Sequence, residues 1–163
     1  MRAALATVLA LALLATACAA RGPHAVADAA RADQAQAQLL QRQTDFFAAL
    51  SARDLDATLA LFADDAVLHV AGMPPIAGRE AIARFYGHLF GFLRESRASP
   101  TLLRIGAGGD LAYTGGGVVN EFASPQGGSA FTGKYLLVWT RGDGGEWRIA
   151  AYSVSSDSSD PRR

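Results

Sequence analysis

The run "ADDAVLHVAGMPPIAGREAIARFY", residues 63–86, passes through three textures in succession. "VLHV" is strand-like by its β-branched content, and "GMPPIAG" is a turn, because two prolines and two glycines continue neither a helix nor a strand. From Arg79 and Glu80 a helix follows, since Ile82, Phe85, Tyr86, Leu89, Phe90 and Leu93 keep the i, i+3, i+4, i+7 rule. Strand, turn and helix in so short a span mark where a sheet meets a helical layer. The run also carries Asp64, Asp65 and His69, residue types that proton transfer uses, so its reading bears on function as well.

On the amino-terminal side, residues Asp33 to Ala52 read as a helix with Leu39, Gln43, Phe46, Phe47 and Leu50 on one side. Asp54 caps a second, short helix in which Leu55, Leu59 and Phe62 share a face, and "ADDA" ends it. On the carboxyl-terminal side come four apolar runs, "TLLRI", "LAYTGGGVVNEF", "AFTGKYLLVWT" and "EWRIAAYSVS". Their separators, "GAGGD", "ASPQGGS" and "RGDGG", supply the Gly, Asp and Ser of hairpin turns. Helices first and strands last predict an α+β domain, with three N-terminal helices packed on a curved, mainly antiparallel sheet. Glycines 115–117 inside a strand imply a bulge or sharp bend, and a sheet so bent encloses a cone with a hydrophobic mouth.

The ends read differently. Arg2 is followed by an uncharged apolar run from Ala3 to Ala20, the pattern of a secretory signal over residues 1–17 and too short for a membrane span. "LLATAC" resembles a bacterial lipobox in which Cys18 becomes the lipidated residue, with Ala15 where leucine is usual; ordinary cleavage after Ala17 is the alternative. The expected location is therefore periplasmic, held to the membrane through a lipid on Cys18, or soluble and secreted. Cys18 is the single cysteine, so no disulfide supports the fold. Residues 18–31 read as a tether, 32–157 as one domain and 158–163 as a frayed tail. With formal net charge zero and no basic patch, nucleic acid is excluded as a partner.

The element order, together with "FFAALSARDLDATLALFADDAVL", "PPIAGREAIARFY" and "GKYLLVWTRGDGGEWRIAAYSVSSD", resembles the SnoaL-like, ketosteroid-isomerase-like group of the nuclear-transport-factor-two-like superfamily. The likeness spans roughly Gln34 to Asp157 and implies a cone-shaped α+β barrel. That architecture carries isomerases, cyclases, dehydratases, binding modules and oligomerisation domains, so it implies no single activity. Isomerase members need a carboxylate base, and a tyrosine with a protonated acid to hold an oxyanion. The resemblance puts the base at Val70, the oxyanion tyrosine at Phe46, a second tyrosine at Phe62, and the acid at or beside Leu136. Only Tyr86 keeps its polar group, which argues against steroid-isomerase chemistry. The pocket lining implied is Phe46, Phe62, Leu68, Val70, Phe85, Tyr86, Phe90 and Leu136.

Strand alternation sorts the polar residues. If Val70 points into the cone, His69 points out to the surface or an interface. Asp64 and Asp65 are expected to close a turn by bonding nearby amides, and His88, beside Phe92, to sit at an edge. Asn120 and Glu121 are consecutive, so one of them faces the cone. Ser153 and Ser155 alternate with Trp147 and Ile149 toward the inner face, leaving Tyr152 and Arg148 outside. The catalytic candidates are thus Tyr86, Asn120, Glu121 and His69. The three histidines are scattered and no cysteine joins them, so no metal site is expected. "GAGGDL" leads into a strand and fails the dinucleotide pattern, so no cofactor is expected either.

The leading expectation is an exported domain that binds a small apolar molecule in its cone. One alternative is a cofactor-free isomerase, dehydratase or cyclase-type enzyme with a relocated acid or base. The other is a homodimeric interaction module anchored by an outward Tyr135, Tyr152 or Trp139.

Overall fold

The structure, a computed structural model, describes residues 23–124, 127–142 and 144–157. The signal run and Cys18 lie outside these residues, as does the tail after Asp157.

Helix α1 spans Pro23–Ala52 and so begins well before the expected Asp33. Proline suits a first helical position, and "AVADAARADQAQAQ" is rich in strong helix formers, so residues 23–31, read as a tether, take up helix without an apolar face. The chain divides into two units at Gln34 and Ala35. In the first, the side chains from Ala27 to Gln34 are exposed and Arg31 pairs with Asp28 at 2.9 Å.

In the second unit the five residues expected on one side of α1, Leu39, Gln43, Phe46, Phe47 and Leu50, are all buried. The helix closes through Arg53, whose φ of 58° is left-handed, with Asp54 N–H donating to Ala49 O at 3.0 Å. Asp54 then caps α2 (Leu55–Ala60) by accepting from Ala57 N–H at 2.9 Å.

Strand β1 (Phe62–Val70) already includes "ADDA", which was expected to lie between elements. Aspartate is depleted in strands, and pairing with the last strand is irregular between Phe62 and Val67, so the sequence hides the strand's start. Instead of closing a turn, Asp64 accepts from Arg79 Nε at 2.9 Å. The Arg79 guanidinium also donates to Leu59 O and Phe62 O, tying the end of α2 to the start of α3.

After β2 (Ile76–Ala77), α3 runs from Arg79 to Leu89 and stops short of Phe90 and Leu93. The long strand β3 (Leu93–Ile105) takes in "SRASP", residues 96–100, ahead of the apolar run "TLLRI". Pro100 is tolerated there because β3 is an edge strand. Strands β4 (Leu111–Phe122), β5 (Ser129–Arg141) and β6 (Trp147–Ser156) complete the predicted antiparallel meander. The sheet order is β2-β1-β6-β5-β4-β3, with β1 parallel to β6 and every other pair antiparallel. The α+β expectation therefore holds: helices pack on a curved, open, mostly antiparallel sheet. No helix among the described residues is long and apolar enough to cross a membrane.

Among the described residues, single-residue bulges interrupt the ladders at Arg94 and Thr101 in β3 and at Ala150 in β6. The second lies opposite the triple glycine. A Cβ on Gly116 would stand 2.2 Å from Ser99 O, so no side chain fits where the two backbones approach. At the core's centre the Phe46 ring meets Phe47, Phe62 and Tyr152 edge-on at 5.2, 5.7 and 5.4 Å.

Candidate functional site

One end of this interior is not filled. An apolar cavity of about 130 Å³ lies between α3 and the sheet, where β1, β4 and β6 end and β3 and β5 begin. Leu68 and Val70 reach it from alternate positions of β1, and Phe85, Tyr86 and Leu89 from one face of α3. Partly exposed Phe122, Phe131 and Val154, with exposed Ala71, mark its open side. The volume is close to the ~150 Å³ that encloses a benzene ring, and below the ~300 Å³ of the smallest drug-sized pockets.

The bulges decide which side chains enter. Alternation from Trp147 and Ile149 would turn Ser153 and Ser155 inward; the extra residue Ala150 inverts the phase, so Tyr152 and Val154 line the cavity instead. Ser155 is exposed and Tyr152 buried, the reverse of the expectation. The bulge at Arg94 likewise lets both Leu93 and Ser96 face in.

Polar groups in the wall are few. Ser51 Oγ donates to Ser96 O at 2.8 Å and accepts from Ser96 N–H at 3.1 Å, pinning β3 to α1. Ser96 Oγ in turn donates to Asn120 Oδ1 at 2.7 Å. Of the consecutive pair, then, Asn120 lines the cavity, and Glu121 turns outward to pair with Arg97. The Tyr86 hydroxyl is buried and has no hydrogen-bond partner among the described residues, and so is that of Tyr135.

Three phenols, Tyr86, Tyr152 and Tyr135, follow one another through the interior. Burial, and secondarily the neighbouring Tyr152, pushes the Tyr86 hydroxyl well above the usual tyrosine range. Burial, and secondarily Tyr135, does the same to Tyr152, while burial alone raises Tyr135 to about 12. All three are protonated at neutral pH and present neutral hydroxyls.

The predicted lining divides. Leu68, Val70, Phe85 and Tyr86 border the cavity. Phe46 and Phe62 are fully buried in the solid core, and Phe90 packs against Tyr86 at 5.6 Å without being part of the wall. Leu136 is corrected outright: it is 42% exposed on the outer face, because β5 turns Tyr135, Leu137 and Trp139 inward. For the same reason Tyr135, Tyr152 and Trp139 are not outward anchors. His69 is exposed as alternation implies, and exposed His88 meets Phe92 edge-on at 5.5 Å. The sequence reading missed Tyr152, Ser96 and Phe131; only a bulge signal would have found the first two. Among the described residues no cluster of three or more His, Cys, Asp or Glu side chains is placed to hold a metal.

Comparison with solved structures agrees with this architecture. A ketosteroid isomerase-like protein from Erwinia carotovora atroseptica is similar at 19% identity and TM-score 0.69, over 76% of this chain and 96% of that one. An NTF2-like protein with a cystatin-like fold from Novosphingobium aromaticivorans is similar at 16% identity and TM-score 0.68, over 86% and 94%. A Catenulispora acidiphila protein in complex with S-DNPA is similar at 24% identity and TM-score 0.61, over 75% and 92%. No curated protein matches the chain. The SnoaL-like domain profile matches residues 44–152, from the middle of α1 to the inward tyrosine of β6. With two thirds of its length so matched, the chain belongs to the SnoaL-like domain family.

Proposed function

We propose that the domain binds a small, uncharged, largely apolar molecule in the cavity, without steroid-isomerase chemistry. The observation that carries this reading is the composition of the wall: aliphatic and aromatic side chains, a few neutral polar groups and, among the described residues, no carboxylate, imidazole or cation. The positions that the resemblance assigns to base and oxyanion donors hold Val70, Phe46 and Phe62, which neither accept nor donate a proton. The known chemistry of a relative stays with that relative, since likeness at this identity extends to fold alone. The test is a native mass spectrum of the protein purified without organic solvent. A stoichiometric small-molecule adduct supports binding; a bare protein, unchanged after incubation with cell-envelope extract, overturns it.

Two further readings belong to the same proposal. The signal-like run and Cys18 favour export and lipid anchoring, and Cys18→Ala should then abolish metabolic labelling with a palmitate analogue. The outer face of the sheet exposes Leu102, Tyr113 and Leu136, which favours pairing of two copies through that face. Leu136→Arg should then convert a dimer to a monomer in light scattering; a wild-type monomer at high concentration rejects the pairing.

A further inference from the structure

The cavity's polar groups have a direction. Asn120 stands on the inner face of β4 and its Oδ1 is already engaged by Ser96 Oγ. An amide carries two N–H donors besides its oxygen, and no side chain or carbonyl among the described residues takes them. Tyr86 belongs to the wall as well, but its hydroxyl is closed to a molecule the size of water, so the Asn120 amide is the donor that a ligand meets. An unmet polar group in an apolar interior is costly, and a ligand atom that satisfies it gains the difference. Among the described residues no Asp, Glu or His lines the cavity to receive these donors, and no Lys or Arg lines it to neutralise an anion.

Resting on the binding reading above, we infer that the ligand class is a neutral molecule of about one ring bearing a single hydrogen-bond acceptor, a ketone or ether oxygen, that Asn120 orients from β4. Three features converge on it. The volume admits about one ring. The uncommitted groups are donors, so an acceptor is selected and an alcohol gains little more than a ketone. An anion entering this wall would lose its hydration without a counter-charge. Ser96 acts as a positioning residue: by holding Oδ1 it presents the amide N–H groups to the cavity rather than the oxygen. Ser51 fixes Ser96 in turn through the backbone at the same residue.

The experiment uses the full chain and three probes of matched bulk: cyclohexanone, methylcyclohexane and cyclohexanecarboxylate, titrated by NMR with the Asn120 side-chain amide as reporter. Cyclohexanone should shift the Asn120 amide resonances, and the carboxylate should bind weakest. Asn120→Leu should weaken cyclohexanone about three- to ten-fold more than it weakens methylcyclohexane, the worth of one good hydrogen bond. An equal effect of that substitution on the first two probes overturns the acceptor inference and leaves the cavity reading standing. Tightest binding of the carboxylate overturns it as well, and binding of none of the three overturns both readings. Cyclohexanone that binds the wild type without moving the Asn120 amide also overturns the inference, so a variant that misfolds does not rescue it.

Discussion

The two ends of the interior are built from the same residue types and behave differently. At one end Phe46, Phe62, Trp139, Trp147 and Ile149 are almost fully buried, and the aromatic rings meet edge-on at ordinary contact distances. At the other, Phe85, Phe122, Phe131 and Val154 are only partly buried and leave a cavity between them. Composition does not separate the two ends; closure does. Where α1 crosses the sheet the rings interlock, and where β1 and β6 run out beside β3 and β5 no described residue closes the gap. The isomerase positions Phe46 and Phe62 fall at the packed end and Val70 at the open one, and Trp147 Nε1 is left without a partner among the described residues at the packed end just as the Tyr86 hydroxyl is beside the cavity. Space, rather than unmet hydrogen bonds, is what sets the open end apart.

The contrast is broken most directly by truncating one ring at each end. Phe62→Ala should cost about 3–5 kcal/mol in urea unfolding, the usual range for a fully buried phenylalanine, and Phe131→Ala no more than about half of that. Equal costs would mean that the open end is as well packed as the closed one.

Next in size is Gly116→Ala. The new methyl would meet Ser99 O, a backbone atom with little room to retreat, so a loss of about 1–3 kcal/mol is expected. No loss would show that the β3 bulge can relax.

Tyr86→Phe sharpens the comparison in the opposite direction. Removing an unpartnered buried hydroxyl should stabilise the unliganded protein by about 1 kcal/mol, measured as a higher urea midpoint. The same variant should blunt an alkaline transition. Tyr86 and Tyr152 keep their protons in the folded state above the pH, about 10, at which the unfolded chain releases them. Their contribution is thus complete below that pH and lost as pH rises through the elevated folded values. Denaturation midpoints that stay flat above pH 10 would contradict this.

The smallest expected effect is at His69. His69→Gln should change stability by less than about 0.5 kcal/mol and leave probe binding untouched, because the side chain lies on the solvent face. Any change in binding would return His69 to the list of pocket residues.

How much of this was legible in the sequence depends on whether periodicity survived. The helix face Leu39, Gln43, Phe46, Phe47, Leu50 was read in full, and β4 emerged with its bounds intact, because each keeps its period throughout. Val70 inward came from the resemblance, and His69 outward then followed from alternation in a regular stretch of β1. Tyr152 and Ser96 were misread or missed because a bulge lies just upstream of each, and a bulge at an alanine or an arginine leaves no compositional mark. Leu136 failed for another reason: its place came from laying one family's spacing over hairpins of different length. The start of β1 was hidden by two aspartates, one of which, Asp64, has its partner Arg79 remote in sequence.

The extra residue at Ala150 carries one last consequence. It works as a frame shift within the strand: downstream of it every side chain has exchanged sides, which is why the cavity presents a phenol and an isopropyl group where a pair of hydroxymethyl groups would otherwise stand. Deleting Ala150 should remove the bulge and leave Tyr152 and Val154 facing the cavity, because Trp147, Ile149, Tyr152 and Val154 then alternate without interruption. The wall therefore depends on the bulge and its extra residue together: straightening the strand without shortening it would present Ser153 and Ser155 instead.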